Sequence, residues 1–180
     1  MPLSSWAQKK GSFVDSRDGQ RYRTVLIGNQ TWMAQDLNYK SEEGSWCYEN
    51  RDDCSHRLYN WKAATESCPA GWHLPSEEEW LNLIEQVGGD QVAGTKLKDR
   101  KGWRESETEG DNSSGFSARP GGYRNHGAVF GGEDTEGYWW SSTELGGGAW
   151  YFCLRFDTPV IKKYGSNHKG GGFSVRCVKD

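Results

Sequence analysis

The sequence is short of branched aliphatic side chains. Val, Ile and Leu together number only 21 of 180 residues, whereas Trp, Tyr and Phe together number 24. A scarcity of aliphatics indicates disorder only when net charge is also high, and here the formal net charge is −3. Because each buried aromatic ring removes roughly 150–250 Å² from water, the aromatic residues can supply the missing core. We therefore expect a folded chain.

Long hydrophobic runs and a surplus of basic charge are also missing. No stretch approaches the ~18 apolar residues of a membrane-spanning helix, and no basic cluster marks a nucleic-acid partner. Residues 1–10 lack the apolar centre of a secretory signal. We interpret 1–10 as a disordered leader or linker and 11–180 as a single domain. The protein is then either cytosolic or exported with a leader that has been removed.

Signatures of common catalytic and metal centres are absent as well. The sequence has no CxxC pair, no HExxH helix, no phosphate-binding glycine loop and no Ser-His-Asp order. The four histidines, His56, His73, His126 and His168, stand singly. We therefore predict no catalytic residues, no metal site and no cofactor.

Five cysteines leave several pairings open. They are Cys47, Cys54, Cys68, Cys153 and Cys177. Cys47 and Cys54 flank a short polar loop that a local disulfide could close. A bridge from Cys68 to Cys177 would tie the end of the chain to its middle and leave Cys153 unpaired. Five reduced thiols in a cytosolic protein are the alternative.

Turn signals divide the first forty residues into short strands. Asp-Gly at 18–19 lies between the apolar runs 12–14 and 22–27, which is a strong hairpin signal. A second turn at 28–29 leads to a third strand over 30–34.

Two segments have the features of helices. Residues 57–66 place apolar side chains at helical spacing. Ser76 and Glu79 form a capping box, and the apolar stripe that follows runs to Val87, where two glycines end it. The polar stretch 90–115 is interpreted as a long irregular loop.

The remainder of the chain has the pattern of short strands separated by glycine-rich turns. The expected strands are 116–124, 138–143, 149–156, 160–164 and 173–178. Strands, two helices and then further strands predict a loop-rich α+β domain, in which two helices pack on small antiparallel sheets.

The strand at 150–157 presents two different faces. By period-two alternation, the first face carries Trp150, Phe152, Leu154 and Phe156 and is expected to face the core. The second face carries Tyr151, Cys153, Arg155 and Asp157. This mixed polar and aromatic face is either an ordinary solvated surface or a ligand-binding strip, and nearby glycine-rich turns favour binding.

Six motifs carry a resemblance that covers about residues 11–180. In chain order they are DGQRYRTVLIGNQTWMAQDLNY (18–39), RLYNWKAA (57–64), CPAGWHLPSEEEW (68–80), GFSARPGGYR (115–124), YWWSSTE (138–144) and GFSVRCVKD (172–180). Together they resemble the Fibrobacter succinogenes major paralogous domain, which is similar to C-type lectin-like domains. The resemblance implies a C-type lectin-like fold in a surface or secreted protein, often a lipoprotein. It also favours the pair Cys68–Cys177 beside Cys47–Cys54.

The resemblance further separates a fixed frame from variable positions near the end of the chain. The variable positions, taken as the predicted binding residues, are Leu145, Trp150, Tyr151, Cys153, Arg155, Asp157, Lys163, Tyr164, Asn167 and His168. Trp150 is the exception, since alternation places it inward. The same layout resembles the variable proteins of diversity-generating retroelements. By contrast, Trp61, Trp72, Trp80, Trp139 and Trp140 lie in the fixed segments and are expected to be core.

These patterns predict a non-catalytic module that binds a ligand through residues 145–168. The expected partner is a protein or glycan on a cell surface, and the only membrane contact would come from a removed lipoprotein anchor. One alternative is a retroelement-diversified display protein. A second is an oxidase of the formylglycine-generating type, which would need Cys153 and Cys177 as reactive thiols.

Overall fold

The computed structural model describes residues 9–54 and 56–180 of the chain. This part contains twelve strands and three α-helices, joined by turns and loops. The strands are β1 Lys10–Val14, β2 Arg21–Ile27, β3 Gln30–Met33, β4 Ser45–Cys47, β5 Arg57–Tyr59, β6 Trp72–His73, β7 Gly121–Arg124, β8 Phe130–Glu133, β9 Glu136–Leu145, β10 Gly148–Arg155, β11 Lys162–Ser166 and β12 Val178–Lys179. The helices are α1 Trp61–Glu66, α2 Glu77–Gln86 and α3 Asp90–Leu97, with a short 3-10 helix at Tyr48–Asn50. The α+β class is confirmed, with one helix more than predicted.

The first sheet brings the first and last strands together. Its order is β1-β2-β3-β12-β6, and all its neighbours are antiparallel. The two turns predicted within the first forty residues are confirmed. Lys10 opens β1, at the end of the segment predicted as a leader, and residues 1–8 of that segment lie outside the described residues.

The second sheet carries most of the predicted binding residues. Its order is β11-β10-β9-β7-β8, and its pairs are antiparallel except for a parallel contact between Gly122 of β7 and Gly137 of β9. Strands β4 and β5 form a separate antiparallel ribbon. Small sheets joined by long connections are what the glycine-rich sequence predicts.

Helix α2 begins and ends as its sequence predicts. The Ser76 hydroxyl accepts a hydrogen bond from the Glu79 amide at 3.2 Å, and the Glu79 carboxylate accepts one from the Ser76 amide at 2.8 Å. At the other end Gly88 and Gly89 have φ of 104° and 93°, a left-handed region in which glycine is favoured. The capping box and the glycine stop therefore set the length of the helix.

The segment 57–66, predicted as one helix, begins as a strand. Residues 57–59 pair with β4, and the helix starts only after Asn60, whose side-chain oxygen accepts from the Ala63 amide at 2.8 Å. Sheet pairing prevails over helical spacing here because β4 and its connection to β5 are held by the Cys47–Cys54 disulfide.

The segment 90–115, predicted as irregular, opens with α3. This helix gives weak sequence signals because Gly89 at its N-cap makes no side-chain cap. Its buried face includes Ala93 and Gly94, and a Cβ at Gly94 would lie 2.5 Å from the Pro159 carbonyl oxygen. A helix that needs a glycine for close approach carries no stripe of large apolar residues.

Two predicted strands are also shorter than expected. Only Gly121–Arg124 of segment 116–124 is a strand. Segment 173–178 forms single bridges from Phe173 to Tyr59 and from Ser174 to Trp139 before it enters β12. It runs between the sheets, so its hydrogen bonds alternate between partners and do not form one ladder.

Two hydrophobic clusters occupy opposite faces of the β9–β10 pair. The first contains Trp139 and Phe152 and packs against Trp80 of α2. The second contains Trp140 and Cys177. Of the five tryptophans predicted as core, Trp80, Trp139 and Trp140 are fully buried, whereas Trp61 and Trp72 are half-buried against the second cluster.

Both predicted disulfides are present. Cys47–Cys54 and Cys68–Cys177 have Cα–Cα distances of 5.2 and 5.9 Å. Disulfides persist in oxidising compartments, so two of them indicate an extracellular setting. None of the helices in residues 9–54 and 56–180 is long and apolar enough to cross a membrane.

A buried lysine holds the long connection after α3. The Lys98 ammonium donates to the carbonyl oxygens of Thr108 at 2.7 Å, Thr158 at 3.1 Å and Arg155 at 3.2 Å. Burial lowers the pKa of this ammonium. The connection is thereby tied to the end of β10, next to the predicted binding residues.

Candidate functional site

Strands β9, β10 and β11 position the predicted binding residues on two sheet faces. Directly opposed residues of antiparallel strands share a face, and Tyr151 is opposite both Tyr164 of β11 and Trp140 of β9. Phe152, one residue along, is opposite Lys163 and faces the first cluster. The predicted residues therefore do not form one continuous strip.

Three predicted residues, Leu145, Trp150 and Lys163, lie on the α2 side of the sheet. The Lys163 ammonium is 4.3 Å from the centre of the Trp150 ring and forms an ion pair with Glu77 of α2. The Leu145 side chain covers Gly165 beside the same ring. Trp150, predicted to point inward, is only half-buried because an exposed lysine and not the core covers its ring.

Arg155 and Asp157 lie beyond this contact, at the end of β10. Their side chains form an ion pair at 3.3 Å, and Arg155 also pairs with Glu136 at 3.3 Å. The hydrogen bond with Arg155 lowers the pKa of Asp157. The two charges satisfy each other at the surface, as in many solvated ion pairs.

A shallow cleft of about 240 Å³ opens on the face that carries Tyr151. Its floor consists of four half-buried aromatic side chains, Tyr123, Tyr138, Tyr151 and Phe173. Its rim consists of polar side chains, Arg124, Asn125, His126, Ser166 and His168. We call this site the aromatic cleft.

The rings of the floor hold one another in place. The centre of the Phe173 ring lies 5.1 Å from that of Tyr138 and 4.8 Å from that of Tyr151. Tyr123 meets Tyr138 edge-to-face at 5.5 Å, and Tyr151 contacts Tyr164 at 5.7 Å. Rings fixed before binding lose little conformational entropy when a ligand covers them.

The rim is basic or neutral. His126 and His168 stack with their ring centres 4.6 Å apart, and the Arg124 guanidinium lies 3.9 Å above the centre of the Trp46 ring. Within the described chain no carboxylate lines the aromatic cleft. The cleft therefore offers hydrogen-bond donors above a surface on which a flat ring can stack.

Few of the predicted binding residues meet in this cleft. Tyr151 and His168 line it, Tyr164 supports Tyr151 from the side, and Asn167 is exposed in the neighbouring turn. The other lining residues were not predicted from the sequence, and they are Tyr123, Arg124, Asn125, His126, Tyr138, Ser166 and Phe173. Several of these lie in the motifs that carry the family resemblance. Aromatic residues next to glycine-rich turns are the sequence pattern that could have identified them.

Cys153 is buried, although alternation predicts it on the exposed strip. Its exposed fraction is 4%, because Tyr138 lies opposite it and covers this part of the face. Burial raises the pKa of the thiol to about 12. Cys177 is bonded to Cys68, so Cys153 is the one free cysteine among the described residues. The oxidase alternative, which needs two reactive thiols, gains no support from this arrangement.

Arg51 pairs with two carboxylates. It binds Glu133 of β8 at 2.6 Å and Glu49 at 2.9 Å, which joins the short 3-10 helix to β8. In residues 9–54 and 56–180 no three His, Cys, Asp or Glu side chains are placed to hold a metal ion.

Comparison with known proteins gives one family. A family model described as the Fibrobacter succinogenes major domain matches residues 25–179, most of the chain. Neither curated proteins nor solved structures give a significant match.

Proposed function

Because the chain belongs to the Fibrobacter succinogenes major domain family, we propose that it is a non-catalytic module that binds its ligand in the aromatic cleft. The observation that carries this proposal is the floor of four fixed, solvent-facing aromatic rings. Rigid aromatic surfaces give large contact area at small entropy cost. The ligand is a glycan or a protein on a cell surface, since both suit an aromatic floor with a polar rim.

We place this module outside the cytoplasm, on a cell surface or secreted, with a lipoprotein anchor as the route to the membrane. The two disulfides support the extracellular part of this proposal. A C-type lectin-like architecture is supported by the pairing of early and final strands in one sheet and by the Cys68–Cys177 link.

A retroelement-diversified display protein is a second candidate, favoured by one pattern of burial. Frame residues Trp139, Trp140 and Ala149 are fully buried. The variable residues Tyr164 and His168 are exposed and can change without disturbing the core, whereas the variable residue Cys153 is buried. A near-copy of the codons for 139–178 beside a reverse transcriptase gene is the expected finding.

Paired substitutions at adjacent exposed residues test the aromatic cleft. His168 lines the cleft, whereas Asn167 does not, and both are exposed. We expect His168→Ala to weaken binding about tenfold and Asn167→Ala to leave it unchanged, because only the first removes a cleft contact. Binding is measured first on a glycan array and then by pull-down from intact bacterial surfaces.

The melting temperature serves as the control for both variants. It should match that of the wild-type protein, since neither side chain is buried. Equal losses of binding for the two variants, or no loss with His168→Ala, would show that the ligand contacts another surface.

A further inference from the structure

A second cleft, with no lining residue in common with the aromatic cleft, is rich in arginine. Its volume is about 250 Å³. The residues that line it include Arg23 of β2, Asp36, Asn38, Arg119 and Arg176. We call it the arginine cleft.

A buried ion pair at this cleft holds one carboxylate in place. Arg176 is fully buried and donates through Nε and Nη2 to Asp36 Oδ1 at 2.8 and 2.6 Å. The Trp139 indole N–H donates to the same oxygen at 2.9 Å. Asp36 Oδ2 makes no hydrogen bond within residues 9–54 and 56–180. This second oxygen is therefore an unused acceptor at the cleft.

Arg23 and Arg119 bring two more guanidinium groups to the cleft. Arg23 donates its side-chain N–H groups only to neutral acceptors, Gln35 Oε1 at 3.2 Å and the Ala34 carbonyl at 3.3 Å. Arg119 binds Asp99 through Nε alone, at 3.0 Å. Each guanidinium retains N–H groups that have no acceptor in the described chain. Such groups suit the two oxygens of a carboxylate.

Asn38 also lines the cleft, but its side chain offers a ligand no acceptor. Its Nδ2 donates to the Cys54 carbonyl at 2.8 Å, and its Oδ1 is buried away from the cleft surface with no partner among the described residues. The acceptor that remains for a ligand is Asp36 Oδ2. The cleft thus combines cationic donors for one charged group with an acceptor for hydroxyls.

From this combination we infer that the arginine cleft binds a carboxylated sugar, such as a uronate. Its carboxylate pairs with Arg23 and Arg119, and a hydroxyl donates to Asp36 Oδ2. A volume below the ~300–1,000 Å³ of drug-sized sites matches a single sugar unit. A neutral sugar would leave the remaining N–H groups of Arg23 and Arg119 without an anion, and a plain carboxylate would leave Asp36 Oδ2 unused.

Amide chemical shifts in NMR, followed at fixed ionic strength with both disulfides intact, test this assignment. The probes are sodium glucuronate, glucose, which lacks the carboxylate, and sodium acetate, which lacks the hydroxyls. We expect glucuronate to shift the amides of Arg23 and Asp36 and to bind at least about tenfold tighter than either control.

A pair of variants on β2 adds a charge-matched control. Arg23→Gln should weaken glucuronate binding about tenfold, because it removes one guanidinium from the cleft. Arg21→Gln removes the same charge from an exposed residue of the same strand outside the cleft and should change nothing.

Three outcomes would overturn the assignment: acetate binding as tightly as glucuronate, glucose doing so, or equal losses with Arg21→Gln and Arg23→Gln. The aromatic cleft is tested separately, since His168→Ala should leave the glucuronate shifts unchanged. Failure in one cleft is thereby distinguished from failure in the other.

Discussion

The two faces of the β9–β10 pair are stabilised in different ways. On the α2 side, Trp80 stacks on Phe152 at 5.0 Å and meets Trp32 at 5.1 Å. The Trp139 N–H on this face donates to Asp36, but the indole N–H groups of Trp32 and Trp80 are buried without an acceptor in the described chain, so this face depends mainly on packing. On the other face, the Trp140 N–H donates to the Tyr59 carbonyl at 2.7 Å, and a disulfide joins Cys68 to Cys177.

This difference explains why the aromatic cleft lies on the second face. A face that is stabilised mainly by packing loses stability when its central rings, such as those of Trp80 and Phe152, are exposed to water. A face stabilised by a covalent link and by hydrogen bonds can leave rings such as Tyr151 and Phe173 half-exposed. Those rings then remain available for a ligand.

Of the changes that test this comparison, removal of the Cys68–Cys177 disulfide should lower the free energy of unfolding most. The bridge spans 109 residues, and in the chain-entropy model such a loop contributes about 5 kcal/mol to the free energy of unfolding. The double variant Cys68→Ser, Cys177→Ser should therefore unfold at much lower denaturant concentration. Chemical denaturation followed by tryptophan fluorescence measures the loss.

The second disulfide provides the matched control. Cys47 and Cys54 are only seven residues apart, so the same model assigns their bridge about 2.5 kcal/mol. Equal losses for the two double variants would mean that the long bridge has no special role on the second face.

Substitution of adjacent residues on β10 compares the two faces directly. Phe152 is fully buried, and Phe152→Ala should lower the free energy of unfolding by about 3–5 kcal/mol. Tyr151 is half-buried, so Tyr151→Ala should cost about 1–2 kcal/mol, because less apolar area is lost from the core. Urea denaturation of both variants measures the difference. A Tyr151 variant as unstable as the Phe152 variant would show that both faces depend on packing.

The sequence predicts the elements whose signals are local. The capping box at Ser76 and the Asp-Gly turn at 18–19 act through neighbouring residues, and both are in place. Helix α3 could not be predicted, because Gly94 is required by contact with Pro159, which is distant in sequence. The disulfide pairing required a family resemblance, since the positions of the cysteines leave several pairings open.

The candidate site was less predictable than the fold, because its residues meet through contacts between segments that are distant in sequence. Alternation along β10 separates Tyr151 from Phe152 correctly, but it does not reveal that Tyr138 covers Cys153. The floor of the aromatic cleft comes from β7, β9, β10 and the segment before β12. Their proximity depends on the parallel contact between β7 and β9, which no local pattern indicates.

The smallest predicted effect concerns His73 of β6, which links α2 of the first face to the residue after β12. Its ring nitrogens contact Glu79 of α2 at 2.9 Å and Asp180, after β12, at 2.6 Å. Partial burial disfavours the charged ring, but the two carboxylates outweigh it and raise the pKa of His73 above its usual value of 6.5. The resulting stabilisation is fully present below about pH 6.5 and is lost as pH rises through the raised pKa.

A comparison with His73→Gln isolates this contribution, because all other titrating groups remain in both proteins. The difference in free energy of unfolding between the two proteins should be larger at pH 6 than at pH 8.5. The side chain is 42% exposed, so solvent screening keeps that change below about 1 kcal/mol. A difference that stays constant with pH would mean that the two carboxylates do not favour the protonated ring. The contact of His73 with Glu79 and Asp180 would then contribute nothing electrostatic to the junction between α2 and the last strand.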